Sequence, residues 1–338
     1  MAKKFHLLTA FVFLLLCVAG YFIAEKNFLH AAVLSVIAYL IAGKELQSIT
    51  GVHEVIAFLL SALLLGIALT APLSQIPFIA IACVLTNIPF ASRILFYQKF
   101  TMTRFTWVEA LGVGIAIVFY LTGNIIQERT GFYSDWQRWI LPLAPIGFSA
   151  GIAFGILHDT PGLLVAAKKG YKVQPGKAAP EFSLPDQNDI LVNLSSFKGK
   201  RNLLLLFVRG DWCPWCHMML RTYQKESSRF SEKNILLLAI GPDPVGTNKQ
   251  MAEKLGIEFL ILSDVHQQTA MLYGCQLSPE EDKNLMSTNP AFQRYAPGIP
   301  LPASFLIDKN GIVRYVSRPD RIGEFLDPST IFPALEQL

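Results

Sequence analysis

From Phe5 to about Leu157 the chain passes through one apolar stretch after another, separated only by short polar breaks. A helix needs about 20 apolar residues, at roughly 1.5 Å each, to cross a hydrocarbon core. Six segments come close: residues 5–24, 27–43, 52–71, 76–97, 107–123 and 139–157. Over all 338 residues, 52% are hydrophobic and only 16% charged, too apolar for a chain wholly in water. After His158 the composition becomes that of an ordinary soluble domain. The expected division is a transmembrane helical domain over 1–158, a linker over 159–175 and a soluble domain over 176–338.

The linker is expected from Pro161-Gly162, Lys168-Lys169-Gly170 and Pro175-Gly176, which punctuate the chain with at most a short helical piece between them. Met1-Ala-Lys-Lys precedes an apolar run too long for a secretory signal core, so the first segment is expected to be a retained span. With the N-terminus inside, six spans put Lys3, Lys4, Lys44, Arg93, Lys99, Arg104, Lys168 and Lys169 on the cytoplasmic side, and Lys26, Arg129 and Arg138 outside. That bias places the soluble domain in the cytoplasm, on a multi-pass protein of the cell (inner) membrane. Five spans would reverse the side.

Among the polar residues of this half, His30, His53-Glu54, Glu109 and His158-Asp159 fall at span ends, where headgroups solvate them. Asn87 lies deepest and is expected to hydrogen-bond a neighbouring helix. Cys17 and Cys83 are single residues on separate spans, and apolar filling explains them better than an electron relay. The net charge of +4 carries no basic stripe interleaved with aromatics, so nucleic acid is not an expected partner.

The soluble half alternates strand and helix. Residues 202–208 form a continuous apolar run suited to a strand buried on both faces. A helical spacing follows Cys213, then a second buried strand over 234–240, a helix over 250–255, a strand over 258–262 and a helix over 267–273. Residues 303–307 and 312–316 flank Asp308-Lys309-Asn310-Gly311, a hairpin with an Asn-Gly turn. This order describes an α/β thioredoxin fold.

Cys213-Pro214-Trp215-Cys216 sits at the first strand-to-helix junction. Positions three apart on a helix have Cβ atoms about 5–6 Å apart, so a disulfide closes with small movement. The helix N-terminus favours a thiolate at Cys213, the expected nucleophile, with Cys216 as resolving thiol. Pro214 removes a donor that a helix start leaves unpaired. Trp212 shelters the pair and offers a flat surface to a partner, Trp215 lies between the two cysteines as a supporting residue, and Arg209 brings a positive charge. Three other readings stay open: a zinc pair completed by residues such as His266 and Cys275, the c-type haem motif that His217 completes, and two buried structural cysteines. The strand and the α/β pattern favour the dithiol, with neither cofactor nor metal.

The soluble half resembles the peroxiredoxin and thioredoxin-like superfamily, in particular its AhpC/TSA (redoxin) branch. The resemblance rests on Gly176-Lys-Ala-Ala-Pro-Glu-Phe-Ser-Leu-Pro-Asp186, Phe207-Val-Arg-Gly-Asp-Trp-Cys-Pro-Trp-Cys216, Leu262-Ser-Asp264 with Tyr273-Gly274, and Pro302-Ala-Ser-Phe-Leu-Ile-Asp308 with Gly311. It implies a cis-proline at Pro302 facing the dithiol. Leu206 and Gly210 stand where typical peroxiredoxins carry a proline and a hydroxyl residue. The expected activity is therefore thiol–disulfide exchange on a disulfide-bearing protein or small thiol, fed by a donor such as thioredoxin or glutathione, with the lipid bilayer as a further partner. Antioxidant reduction of hydroperoxides comes second. A membrane redox sensor is the third alternative.

Overall fold

The computed structural model describes residues 7–45, 52–70, 78–95, 105–126, 139–278, 295, 298–317 and 328–336. The chain forms two compact units, one helical and ending at Leu157, the other α/β and beginning at His158.

The helical unit contains α1 (Leu7–Ala24), α2 (Phe28–Glu45), α3 (Val52–Thr70), α4 (Phe78–Leu85), α5 (Ile88–Leu95), α6 (Val108–Ile126) and the start of α7 (Leu143–Lys169). Among the described residues one helix, over Val108–Ile125, is long and apolar enough to cross a membrane by length and composition. The apolar helices Leu8–Ala24, Phe28–Gly43, Val55–Leu69 and Leu143–His158 are shorter. The expected fourth span is interrupted: it forms two helices of eight residues each.

The break falls at Thr86 and Asn87, and Pro89 explains it: without an N–H it fits the first turn of α5 but not a helix interior. The Asn87 amide nitrogen donates to Cys83 O at 2.7 Å, and its oxygen accepts from Tyr39 at 2.6 Å and from Ser149 at 3.2 Å. The expected inter-helix hydrogen bond is present. Glu109, expected at a solvated span end, is instead buried and paired with Arg93, whose guanidinium also reaches Phe105 O at 3.1 Å. Both charges lie at helix ends, so the pair closes one end of the α5–α6 packing. Gly66 admits α4 closely, since a Cβ there would stand 2.6 Å from Ala80 Cα.

The segment read as a linker is helical up to Lys169, with Pro161 inside the helix. The Leu, Val, Ala and Lys residues that follow Gly162 are mostly strong helix formers and outweigh the Pro-Gly pair. Gly170, at φ 68°, takes the left-handed conformation that ends the helix. Tyr171 and Val173 beyond it are buried, so this chain packs instead of running free.

The α/β unit is built on a five-stranded sheet of β3 (Asn202–Phe207), β4 (Ile235–Gly241), β5 (Leu260–Ser263), β8 (Ala303–Ile307) and β9 (Val313–Val316), in the order β5-β4-β3-β8-β9. β3 runs parallel to β4 and antiparallel to β8. Its central place explains its unbroken apolar sequence, with Leu203 to Phe207 each at most 1% exposed. Each such side chain contributes roughly 1.5–3 kcal/mol by leaving water. Phe207, Tyr273 and Phe305 pack as a ring cluster with centroids 5.0–5.6 Å apart.

α8 (Pro214–Lys225), α9 (Ser227–Glu232), α10 (Val245–Leu255), α11 (Gln268–Tyr273) and α12 (Phe332–Leu335) alternate with the strands, completing a thioredoxin fold. The hairpin turns at Gly311, φ 81°, and Asp308 Oδ1 accepts from the amides of Asn310 at 2.8 Å and Ile312 at 2.9 Å. A small leading hairpin, β1 (Ser183–Pro185) with β2 (Leu191–Asn193), precedes the sheet in sequence. Two further two-residue strands, β6 (Gln276–Leu277) and β7 (Ile299–Pro300), pair antiparallel.

Candidate active site

β3 ends at Phe207, and Val208 N still donates to Ile240 O at 2.9 Å, so the following loop leaves the sheet from a fixed point. The chain turns at Gly210, whose φ of 131° is open to glycine. A Cβ there would also lie 2.7 Å from the Tyr295 hydroxyl and 3.0 Å from Trp212 Nε1. Cys213 N closes the turn onto Gly210 O at 3.2 Å. Cys213 then caps α8 in extended conformation, and Pro214 takes the first helical position.

The two thiols are free and buried, Cys213 being 2% exposed and Cys216 fully enclosed. Cys213 Sγ accepts from Cys216 N at 3.4 Å, and Cys216 Sγ accepts from Arg209 N at 3.3 Å. Their acidities separate. Burial pushes the Cys213 thiol up, but the hydrogen bond from the Cys216 thiol, the Arg209 charge and the Cys216 and Trp215 amides together bring it below the ordinary thiol value. Burial holds Cys216 well above it, and its hydrogen bond to Cys213 and the charge there add to the rise. Cys213 is the more acidic sulfur and Cys216 the less acidic, the order a nucleophile and a resolving group require.

Arg209 is buried, with Cζ 4.9 Å from the centroid of the Trp212 ring. Trp212 and Trp215 are partly exposed beside the pair in sequence. Pro302 is buried at the joint of β7 and β8, one residue before Ala303, the register partner of Phe207, so it lies at the sheet end from which the active loop departs. Its peptide bond is trans, which corrects the expected cis-proline. Leu301 N, just before it, donates to Cys275 O at 2.6 Å, and the trans isomer is the lower in energy by about 0.5–1 kcal/mol. Cys275 is fully buried, and burial, with the Asp264 charge adding to it, holds its thiol well above the ordinary value. It is a packing residue. Among the described residues no group of three or more His, Cys, Asp or Glu side chains is placed to hold a metal ion.

Two residues at the site escaped sequence reasoning. The buried Asp243 carboxylate accepts from the Tyr295 hydroxyl at 2.6 Å through Oδ1 and from Asp211 N at 2.8 Å through Oδ2. Asp243 follows the carboxyl end of parallel strand β4, where α/β folds gather functional groups, and that signal was readable. Tyr295, 52 positions further on, gave none.

A thioredoxin fold with a free thiol pair at a helix N-terminus defines a class of thiol redox proteins. Within that class the chain belongs to the AhpC/TSA family, which residues 175–316 match. Alkyl hydroperoxide reductase E of Mycobacterium tuberculosis is 30% identical over 142 residues, covering 82% of that protein and 41% of this chain. The chloroplastic peroxiredoxin Q of Oryza sativa subsp. japonica is 29% identical over 145 residues, 43% of this chain; the chain spans 59% of the rice protein's length. The crystal structure of peroxidoxin BcpB from Mycobacterium tuberculosis aligns with 49% of this chain and 98% of its own at 19% identity and a TM-score of 0.41.

Proposed function

We propose that the α/β unit is a thiol-dependent oxidoreductase of the peroxidase type, with Cys213 as attacking thiolate and Cys216 as resolving thiol. The observation that carries this is the geometry of the pair: Cys213 Sγ caps the helix start and accepts from Cys216 N at 3.4 Å, and Cys216 Sγ, one turn along, is held by Arg209 N at 3.3 Å. The Cys213 thiolate attacks the terminal oxygen of a hydroperoxide, the O–O bond breaks, and the alkoxide leaves as alcohol after taking a proton. Cys213 is left as sulfenic acid. The Cys216 sulfur then attacks Cys213 Sγ, water departs, and a disulfide forms; an external dithiol such as thioredoxin, or glutathione, returns two electrons and two protons.

Relatives named as peroxiredoxins and as an alkyl hydroperoxide reductase support hydroperoxide as the substrate class and move peroxide reduction ahead of disulfide exchange. Exchange remains the second reading, favoured by the resolving sulfur lying on the first turn of the same helix, where a mixed disulfide at Cys213 is within its reach. Stopped-flow oxidation of the reduced protein by an alkyl hydroperoxide separates the two. Peroxidase function predicts oxidation at least a hundredfold faster than that of free cysteine; a rate no faster than free cysteine, with rapid reduction of a model disulfide, favours exchange.

We also propose that the helical unit is embedded in a membrane. Large apolar side chains stand exposed on its helices, among them Leu14 at 59%, Val118 at 62%, Phe154 at 68% and Ile125 at 76%. Lipid is the solvent that removes the cost of such exposure. Resistance of the full chain to alkaline extraction from membranes tests this, and release into the supernatant contradicts it. A cytoplasmic side for Cys213 rests on the Lys and Arg bias and is read by labelling with an impermeant maleimide.

A further inference from the structure

The buried Asp243 carboxylate joins three separate parts of the chain. It belongs to the loop after β4, its Oδ2 holds the Asp211 amide in the loop after β3, and its Oδ1 holds the hydroxyl of Tyr295. Asn248 Nδ2 donates to the Asp243 backbone carbonyl at 3.2 Å and to Ser263 Oγ at 2.9 Å, which fixes that loop against β5. The Tyr295 hydroxyl also occupies the space beside Gly210 that a side chain would need, 2.7 Å from the Cβ position. The held turn is the one that matters chemically. Gly210 O accepts from Cys213 N, and the preceding residue, Arg209, gives its amide to Cys216 and its charge to Cys213.

We propose that Tyr295, acting through Asp243, is a positioning residue that keeps the Arg209–Cys213 turn in the geometry in which Cys213 reacts as a thiolate. Two effects act in the same direction. The hydroxyl proton compensates part of the Asp243 charge, a negative charge on the loop adjoining the turn, and a carboxylate less compensated opposes a second anion nearby. The hydrogen bond also pins the turn; when it is lost, a buried acceptor is left with one partner fewer and the turn relaxes. Among the described residues, the titratable and charged groups around Cys213 are Cys216 and His217 on its own helix, Arg209 and Asp211 on the loop after β3, Asp243 on the loop after β4, and Tyr295. Arg209 alone among these favours the thiolate by a permanent positive charge.

The proposal deepens the assignment of Cys213 as nucleophile and rests on it. The test is the pH dependence of iodoacetamide alkylation at Cys213 in the full-length protein, followed by peptide mass spectrometry, for the wild type, Tyr295→Phe and Tyr273→Phe. Tyr273 is the control, since its hydroxyl also makes one hydrogen bond, to Pro180 O at 3.0 Å, in the same unit. The midpoint is expected to rise by about half to one unit in Tyr295→Phe, a roughly three- to tenfold loss of thiolate below the midpoint, and to stay in place in Tyr273→Phe. Circular dichroism verifies that each variant is folded. An unchanged midpoint in Tyr295→Phe, or equal rises in both variants, overturns the positioning role. If wild-type alkylation within the α/β unit at neutral pH maps to a cysteine other than Cys213, it is the nucleophile assignment that fails.

Discussion

The amide of Arg209 donates to the sulfur of Cys216 at 3.3 Å, so one residue anchors the resolving thiol with its backbone and acts on the nucleophile with its side-chain charge. Replacing Arg209 by Met keeps the amide and removes the charge. The Arg209→Met variant is expected to shift the Cys213 alkylation midpoint upward by about one unit, the lower end of what an adjacent opposite charge produces. It should leave disulfide closure between the two cysteines intact. Alkylation against pH, with thiol counting after oxidation, checks both.

The remaining thiols of the α/β unit should behave differently. Cys216 and Cys275 are fully enclosed and held well above the ordinary thiol value. In folded, reduced protein at neutral pH, alkylation is expected to label Cys213 first and to reach Cys275 only on unfolding in denaturant.

At the hairpin turn, the Asp308 carboxyl is raised by burial, but the Ile312 amide, Arg314 and the Asn310 amide outweigh that and leave it below the ordinary carboxylate value. Such a group stabilises the fold above its unfolded pKa, and the contribution is lost as pH falls through the lower folded value. Asp308→Ala is expected to cost about 1–3 kcal/mol at neutral pH, and much less under acid conditions where the wild-type carboxyl is itself protonated. Urea unfolding of the α/β unit signal at both pH values measures the difference.

In the helical unit, Arg93 and Glu109 form a buried ion pair that anchors α5 to α6. Removing one partner strands the other charge. Glu109→Ala is expected to destabilise the unit by about 3–5 kcal/mol, whereas exchanging both residues for apolar ones of similar volume costs much less. Thermal melts in detergent of the single and double variants give the comparison.

Periodicity and spacing made β3, β4, the dithiol helix and the Asn-Gly hairpin legible, because each is fixed by local pattern: an unbroken apolar run, Pro214 after a capping residue, Gly311 at a turn. Other features were not. The apolar run across residues 76–97 read as one helix because hydropathy does not register the bonding of Asn87 and the missing donor of Pro89. Pro161-Gly162 read as a break, although the helix formers around it carry the helix through. The Tyr295–Asp243 contact joins residues 52 positions apart, and no window along the chain brings them together. The cis-proline expected at Pro302 came from the family resemblance and not from a pattern in this chain, and the peptide bond there is trans.

The central claim, that Cys213 and Cys216 are one redox couple, is tested most directly by peptide mass spectrometry of the full-length protein after one equivalent of alkyl hydroperoxide. The account predicts that the peptide carrying both cysteines becomes lighter by two hydrogens, and that Cys216→Ser instead retains a sulfenic acid at Cys213 that dimedone traps. A Cys213–Cys216 peptide that stays fully reduced while Cys275 or another thiol is oxidised would contradict it.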